Sequence, residues 1–230
     1  MDSLVRYSLI KTKLPREFLL LQGTGCIYKK CVYCDYYHDV SENPFEINKP
    51  IIDKITGATG VLDVINSGSC FELDDKTISL IREKAVEKGI HTIWFETHYL
   101  YKSRLNEFRA KFPGIQVKFR TGVETFNPEM RTFLRKGIGA QVSAADIAKD
   151  FVGVCLLVGF ERQSRDDIMN DISIARKLFE RTVVNVFIEN STPLKQDREL
   201  VAWFKSEVYP KIKDDPAIEI LLDNTDFGVG

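Results

Sequence analysis

Apolar and polar residues alternate along this chain with two different periods. Seven short segments are apolar and rich in β-branched or aromatic side chains, as strands are. They cover residues 17–23, 61–67, 92–98, 115–122, 152–160, 183–190 and 217–224. The first, EFLLLQG, and the fifth, VGVCLLVGF, are apolar on both faces. Such strands are expected in a parallel sheet that helices cover on both sides.

Between these segments the apolar residues recur at the helical period. Residues 75–89 place Ile78 and Ile81 on one face, and residues 164–181 repeat the pattern behind the capping residue Ser164. Strand and helix patterns therefore alternate through the chain, which favours the α/β class and a β/α barrel or an open relative of it. No linker or low-complexity segment interrupts the alternation. We predict a single domain over residues 1–230.

Composition and charge narrow the classes of function. The 230 residues are 44% hydrophobic and 28% charged, with a formal net charge of −1. This balance provides no bulk attraction to nucleic acid or to an anionic membrane surface. The sequence shows neither a signal peptide nor an apolar run of transmembrane length. Five cysteines, an odd number, argue against a disulfide framework. We expect a cytoplasmic protein with reduced thiols, and neither membrane nor direct nucleic-acid binding.

Three of the cysteines lie close together in the loop after the first predicted strand. Cys26, Cys31 and Cys34 have the spacing C-x4-C-x2-C, and His38 follows with three residues between. Barrels of this class gather reactive residues at the carboxyl ends of their strands. Two interpretations are open. The four residues could form a closed Cys3His zinc site, or the three thiolates could hold a [4Fe–4S] cluster with one iron open to a further ligand.

The cysteine segment, CIYKKCVYC, resembles the C-x3-C-x-aromatic-C motif of the radical S-adenosylmethionine (SAM) superfamily. Tyr33 matches the aromatic position, and the departure is one extra residue between Cys26 and Cys31. Later segments resemble further motifs of the superfamily, in the same order and after the corresponding strands. They are NSGSCFE (66–72), GVETFNPEMRTFLRKGIG (122–139) and LLVGFERQSRDDI (156–168).

The resemblance implies the fold, the cofactors and part of the site. The fold is a partial, open (β/α) barrel of about six to seven parallel strands. The cofactors are a [4Fe–4S] cluster, held by Cys26, Cys31 and Cys34, and SAM, while His38 has no ligand role. Cys70 and Cys155 lie in apolar stretches and are expected to be buried. The residues expected to bind the cofactor are Tyr33, Ser67, Gly68, Ser69, Arg120 and Glu124.

The chain is short for this superfamily, which favours a small-molecule substrate. It most resembles the members that act on 7-deazapurines, and we expect a lyase reaction on queuine or a related deazapurine. A flavodoxin- or ferredoxin-type electron donor would supply reducing equivalents. Alternatives are a 7-carboxy-7-deazaguanine synthase-like reaction, another small-metabolite reaction, or a zinc-stabilised binding protein without catalysis.

Candidate substrate residues lie in the cysteine loop and after predicted strands. A carboxylate can accept hydrogen bonds from both adjacent donors of a deazaguanine, its N1–H and its amino group, and an aromatic ring can stack on the base. The candidates for substrate binding are Asp35, Tyr36, Asp223, Asn224, Asp226 and Phe227. The candidates for a catalytic role are Asp35, Glu96 and His98.

Overall fold

The computed structural model describes residues 5–223. Within these residues, eight strands form one sheet in the order β1-β2-β3-β4-β5-β6-β7-β8. The strands are β1 (Tyr7–Ile10), β2 (Arg16–Leu21), β3 (Val61–Asn66), β4 (Thr92–Glu96), β5 (Gln116–Glu124), β6 (Gly153–Val158), β7 (Arg181–Val186) and β8 (Ile218–Leu221). β1 pairs antiparallel with β2, whereas β2–β3, β3–β4, β5–β6, β6–β7 and β7–β8 are parallel pairs.

Helices connect the parallel strands, as the alternating pattern predicts. They are α1 (Pro44–Ile52), α2 (Asp75–Glu87), α3 (Leu105–Arg109), α4 (Pro128–Phe133), α5 (Ala144–Ala148), α6 (Arg165–Leu178), α7 (Arg198–Trp203) and α8 (Tyr209–Ile212). Three 3-10 segments cover Tyr36–His38, Cys70–Glu72 and Tyr99–Arg104, and a π-helical segment, Phe204–Val208, joins α7 to α8.

The described chain divides into two compact units, of which the first contains residues 5–29 and 36–119. β2 is buried along its whole length. The Arg16 guanidinium donates to Asp63 at 2.9 Å, and both side chains are buried. Asn48 of α1 brackets the backbone of Gln22, since its carbonyl oxygen accepts from Gln22 N–H and its amide donates to Gln22 C=O, each at 2.8 Å. These bonds fix the chain where it leaves β2.

The second unit contains residues 30–35 and 120–223. α6 contacts β6 and β7, and Ile168 and Ala175 on its inner face are fully buried. Val32 and Tyr33 pack against an apolar core at the carboxyl ends of β6 and β7. This core consists of Leu134, Leu157, Phe160, Phe187 and Leu194. Packing against it positions the short segment that carries two of the cysteines.

All seven predicted strands are present, with ends that differ by at most four residues. The two predicted helices are confirmed as α2 and α6, and Ser164 caps α6 by accepting from Asp167 N–H. β1 was not predicted, because its four residues are partly exposed at the sheet edge and carry no clear apolar pattern. The single-domain interpretation stays a prediction. None of the helices in residues 5–223 has the length and apolar character needed to cross a membrane.

Candidate active site

The cysteine loop, residues 22–43, starts in the first unit, and Glu72 holds its first part. Glu72 is buried and accepts five hydrogen bonds, one of them from the Thr24 hydroxyl to its backbone carbonyl at 3.1 Å. Its Oε1 accepts from the backbone N–H of Ile27 at 2.8 Å and from the hydroxyl of Tyr101 at 3.2 Å. Its Oε2 accepts from Ser69 N–H at 2.6 Å, and its backbone carbonyl accepts from Thr24 N–H at 2.9 Å. The chain on both sides of Cys26 is therefore held by hydrogen bonds to Glu72.

The segment Ser67–Ser69, expected to meet SAM, lies directly after β3. The Ser67 hydroxyl oxygen accepts from Gly23 N–H at 3.3 Å, and that of Ser69 accepts from His98 N–H at 2.9 Å. A Cβ atom on Gly68 would overlap Glu72 Oε2 and lie 3.3 Å from Cys26 Cα. Only glycine fits between the Glu72 carboxylate and the backbone of Cys26.

His98 and Glu96 lie at the end of β4, as predicted. The His98 ring stacks on Tyr28 of the cysteine loop, with ring centroids 4.5 Å apart. Its Nδ1 accepts from Leu100 N–H at 3.2 Å, which places the proton of the neutral ring on Nε2. Glu96 is the last residue of β4 and is half-buried. Both residues are thus placed in the first unit, His98 in contact with the cysteine loop.

In the second unit, Tyr33, Glu124 and Lys136 form a closed set of hydrogen bonds. The Tyr33 hydroxyl donates to Glu124 Oε1 at 2.8 Å. The Lys136 ammonium donates to the Tyr33 oxygen at 2.8 Å and to Glu124 Oε1 at 2.9 Å. The Lys136 and Glu124 side chains are only 9% and 7% exposed. We call these three residues the Tyr–Glu–Lys network.

Turns of the backbone orient the two charged side chains of this network, those of Glu124 and Lys136. Glu124 has a left-handed backbone, with φ 64°, beside an irregularity in the β5–β6 register. Lys136 follows Arg135, which is left-handed with φ 51°, and its N–H donates to the Arg131 carbonyl at 3.0 Å. This is the turn that ends α4. A Cβ on Gly122 would overlap Glu124 Oε1 and lie 2.9 Å from Lys136 Nζ.

The electrostatics of the network involve two cysteines. Burial, the Glu124 carboxylate and the thiolates of Cys31 and Cys34 raise the pKa of Tyr33 well above its ordinary value. Burial lowers the pKa of Lys136. Glu124, Cys31 and Cys34 together raise this pKa by more than burial lowers it, so the net shift is upward. Tyr33 is therefore a neutral donor and Lys136 a permanent cation next to the two thiols.

Further bonds fix the segment that carries Cys31 and Cys34. Val32 N–H donates to the Leu134 carbonyl at 3.2 Å, and the Asn190 side-chain amide donates to the Tyr33 carbonyl at 2.8 Å. The Asp35 carboxylate accepts from the N–H and the hydroxyl of Ser191, at 3.1 and 2.8 Å. Asp35 thus ends this segment and helps to anchor it.

The remaining predicted residues lie at varied depths. Arg120 is buried in β5 opposite Gly153. Tyr36 begins the 3-10 turn in the cysteine loop, and Asp223 is exposed after β8. Three further candidates lie outside the described residues: Asn224, Asp226 and Phe227.

The donor set of the cysteine loop fits an iron–sulfur cluster. None of the five cysteines forms a disulfide; Cys26, Cys31 and Cys34 are partly exposed, while Cys70 and Cys155 are buried, as predicted. Cysteine thiolates are the ligands that hold iron–sulfur clusters. Within residues 5–223, no three Cys, His, Asp or Glu side chains are gathered as a metal site. The assignment of the three cysteines as ligands therefore stays a prediction.

Sequence reasoning missed three residues that the structure places around the loop. Glu72 holds the chain beside Cys26, Lys136 bonds to Tyr33, and Asn190 holds the Tyr33 carbonyl. Glu72 closes the quoted NSGSCFE segment, and Lys136 directly follows Arg135 in the quoted 122–139 segment, where the sequence does not set it apart. Asn190 gave no signal, since asparagine after a strand is common in turns.

Comparison with known proteins defines the class. No protein-family model matches the chain. The heme chaperone HemW of Buchnera aphidicola subsp. Acyrthosiphon pisum (strain APS) is 26% identical over 182 residues, which is 70% of this chain and 48% of HemW. The chain thus spans about half the length of this curated relative. A solved structure of a queuine lyase from Clostridium spiroforme, bound to SAM and queuine, is 43% identical, with a TM-score of 0.93.

That match covers 99% of this chain and 100% of the solved one. It confirms the predicted fold class, the partial, open (β/α) barrel of a radical SAM enzyme. The chain belongs to the queuine lyase family of radical SAM enzymes.

Proposed function

We propose that this protein is a radical SAM lyase that releases 7-aminomethyl-7-deazaguanine from queuine. The observation that carries the proposal is the match to the queuine lyase, at 43% identity over nearly the whole of both chains. The cofactors are SAM and a [4Fe–4S] cluster. The reaction belongs to the salvage of this modified base.

Three thiolates hold the cluster in this proposal, from Cys26, Cys31 and Cys34. When bound there, the cluster would supply the electron for the reductive cleavage of SAM. The protein itself positions the reactants and excludes water. The bonds from Glu72 to the Ile27 and Ser69 backbone and the packing of Val32 hold the loop ready for this task. His38 is exposed and has no ligand role in the proposal.

We propose that the residues expected to bind the cofactor hold SAM. Glu124 Oε1 is occupied by Tyr33 and Lys136, so we assign its second oxygen, Oε2, to the cofactor. Tyr33 would lie near the adenine. The backbone and hydroxyl groups of Ser67–Ser69 would meet the amino group of the methionine moiety, and Arg120 its carboxylate, because a guanidinium binds a carboxylate with paired bonds.

The substrate base would be held by acids and aromatic rings around the carboxyl ends of the strands. Asp223 follows β8 and is exposed. Such a carboxylate can accept from the N1–H and the amino group of a deazaguanine together. The other residues that we propose to bind the substrate are Asp35, Tyr36, Asn224, Asp226 and Phe227. Those that we propose for a catalytic role are Asp35, Glu96 and His98.

The reaction also needs a reductant and a reducing compartment. We propose a flavodoxin- or ferredoxin-type donor and a cytoplasmic location, because thiolate ligands and a reduced cluster are maintained where disulfides are rare. Neither nucleic acid nor membrane takes part in the proposed reaction.

An anaerobic assay tests the function. The wild-type protein is supplied with queuine, SAM and dithionite, and mass spectrometry follows 7-aminomethyl-7-deazaguanine and 5′-deoxyadenosine. We expect both products. Asp223→Ala should still cleave SAM but lose about 100-fold in product from queuine, since a charged bidentate contact is worth roughly 3 kcal/mol. The exposed Asp214, at the other end of β8, provides the matched control Asp214→Ala, which should behave as wild type.

Two outcomes would contradict the proposal. If the wild-type protein forms 5′-deoxyadenosine and leaves queuine unchanged, the substrate is wrong and the radical SAM class is retained. If Asp223→Ala forms product at the wild-type rate, Asp223 does not hold the base.

A further inference from the structure

Lys136 is an unusual residue for the interior of a protein. Its side chain is 9% exposed, it bonds to both Tyr33 and Glu124, and its ammonium lies 5.6 Å from the centre of the Tyr33 ring. Tyr33 stands between Cys31 and Cys34 in the sequence. We propose that Lys136 is a positioning residue for the iron–sulfur cluster, which fixes the segment from Cys31 to Cys34 and places a positive charge beside it. The inference rests on the proposed function.

Two features of the fold position the Lys136 side chain. The turn that ends α4 sends Lys136 inward, and Leu134 in the same turn accepts from Val32 N–H at 3.2 Å. One turn of chain therefore holds both the backbone of Val32 and the side chain of Tyr33. Gly122 leaves the space in which the ammonium and the Glu124 carboxylate meet.

A purely structural role explains this arrangement poorly. A buried ion pair loses much of its hydration, and well-packed apolar residues of similar volume are often as stable or more stable. The ammonium also donates to the hydroxyl of Tyr33, the residue that stands between Cys31 and Cys34 in the sequence. A cation that is costly to bury and that holds the residue between two proposed ligands has a reason to be there that packing alone does not supply.

The expected consequence concerns the reduction potential of the cluster. Reduction adds one negative charge, and nearby charge and hydrogen bonding are among the factors that set the potential of an iron–sulfur cluster. A fixed cation stabilises the reduced form more than the oxidised form, because the reduced form is more negative. Lys136 should therefore make the cluster easier to reduce.

The test compares Lys136→Met, Lys136→Arg and Tyr33→Phe after anaerobic reconstitution. The readouts are bound iron per chain, the melting temperature, and the midpoint potential from a redox titration followed by electron paramagnetic resonance. Lys84→Met is the matched control, since Lys84 also pairs with a glutamate at 2.9 Å but lies on the exposed surface of α2. It removes the same charge from the protein without touching the cysteine loop.

We expect Lys136→Met to bind iron with a more negative midpoint potential, whereas Lys136→Arg stays near the wild-type value. Tyr33→Phe keeps the ion pair and should shift the potential less than Lys136→Met does. Lys84→Met should shift nothing. Loss of iron in Lys136→Met with retention in Lys136→Arg also supports the proposal, because the charge is then needed to assemble the site.

Two results would overturn the inference. One is a Lys136→Met protein with the wild-type iron content and midpoint potential. The other is an equal loss of iron and of melting temperature in Lys136→Met and Lys136→Arg, which is the behaviour of a lysine that only fills the core. Since no readout involves queuine, failure here is distinguishable from failure of the proposed substrate.

Discussion

At Glu124 the backbone conformation is energetically unfavourable, whereas the hydrogen bonds of its side chain are stabilising. A left-handed conformation costs a residue with a Cβ roughly 1–2 kcal/mol, and Glu124 has φ 64°. Its carboxylate is held by Tyr33 and Lys136 at 2.8 and 2.9 Å. Charged hydrogen bonds of this kind each stabilise by roughly 1.5–3 kcal/mol. Strain that surrounding bonds maintain is typical of positions that contact a ligand.

The space beside this carboxylate gives a first prediction. Gly122→Ala should destabilise the protein by roughly 1–3 kcal/mol, the usual cost of overpacking, because the added methyl group meets Glu124 and Lys136. Urea unfolding of the wild type and the variant measures the difference. In a Glu124→Ala background the penalty should shrink, since one of the two obstructing groups is then absent. An equal penalty in both backgrounds would contradict the explanation.

Asp171 is a second residue with an unusual environment. It is buried in α6 and accepts from Phe126 N–H at 2.7 Å. Phe126 lies two residues after Glu124 in the sequence. Its second oxygen, Oδ2, has no hydrogen-bond partner among the described residues. Burial raises the pKa of Asp171 from 3.8 to about 7; the Phe126 and Thr125 bonds and the charge of Arg131 oppose this shift, and Asp167 adds to it. In the folded protein the carboxyl group therefore keeps its proton up to a pH of about 7, where an ordinary aspartate is ionised.

The second prediction follows from the direction of this shift. The folded state holds the proton more tightly than the unfolded state between pH 4 and pH 7, so the free energy of unfolding should fall as the pH rises through this window. The loss should reach roughly 2 kcal/mol or more, because one pKa unit corresponds to about 1.4 kcal/mol.

Asp171→Asn provides the comparison for this effect. Its side-chain carbonyl can still accept from Phe126 N–H, but the group no longer titrates. Urea unfolding at several values between pH 5 and pH 8 should therefore give a flatter dependence for the variant, and higher stability than wild type at pH 8. Parallel curves for the two proteins would contradict the assignment of the pH dependence to Asp171.

Among the secondary-structure elements, the turn after β3 and the cysteine loop behave as one element. Glu72 in the 3-10 turn accepts from the backbone of the loop and from Tyr101, so the two segments share a carboxylate. Burial and the neighbouring carboxylate raise the pKa of Tyr101 to about 12, and it stays a donor. The first part of the loop thus depends on one residue that lies 45 positions later than Ile27.

The third prediction concerns this shared carboxylate. Glu72→Gln replaces one acceptor oxygen with a donor, so a buried N–H group faces an NH2 group, at a cost of roughly 1–3 kcal/mol. We expect a lower melting temperature and less iron bound per chain after reconstitution. The control is Glu87→Gln at the exposed end of α2, which should change neither quantity. Full iron content in Glu72→Gln would show that the loop holds its shape without this acceptor.

For the whole molecule, the radical SAM class requires that iron and not zinc occupies the cysteine loop. The fourth prediction is that replacing Cys26, Cys31 or Cys34 by Ala abolishes the broad absorbance near roughly 400 nm of an iron–sulfur protein. His38→Ala should retain it, since the open iron must remain available to SAM. One equivalent of tightly bound zinc, with no iron after anaerobic reconstitution, would contradict the assignment.

The sequence alone determined the architecture and the chemistry of the loop. Strands and helices are repeated local patterns, and β6 is recognisable because residues 153–158, GVCLLV, are apolar on both faces; the structure buries all six. The order of strand and helix patterns then favours a parallel sheet. The spacing of three cysteines within nine residues is also a local feature, so Cys26, Cys31 and Cys34 could be predicted as metal ligands without a structure.

Only the tertiary structure decided what surrounds these residues. Lys136 reaches Tyr33 across 103 positions and Asn190 reaches it across 157. No local period encodes such pairs, because they follow from how the turns after the strands are placed. The left-handed backbone at Glu124 could not be predicted from the sequence either, since its free-energy cost is offset by partners distant in sequence. β1 escaped prediction for a related reason, because an edge strand of four partly exposed residues is stabilised by pairing with β2 and carries no pattern of its own.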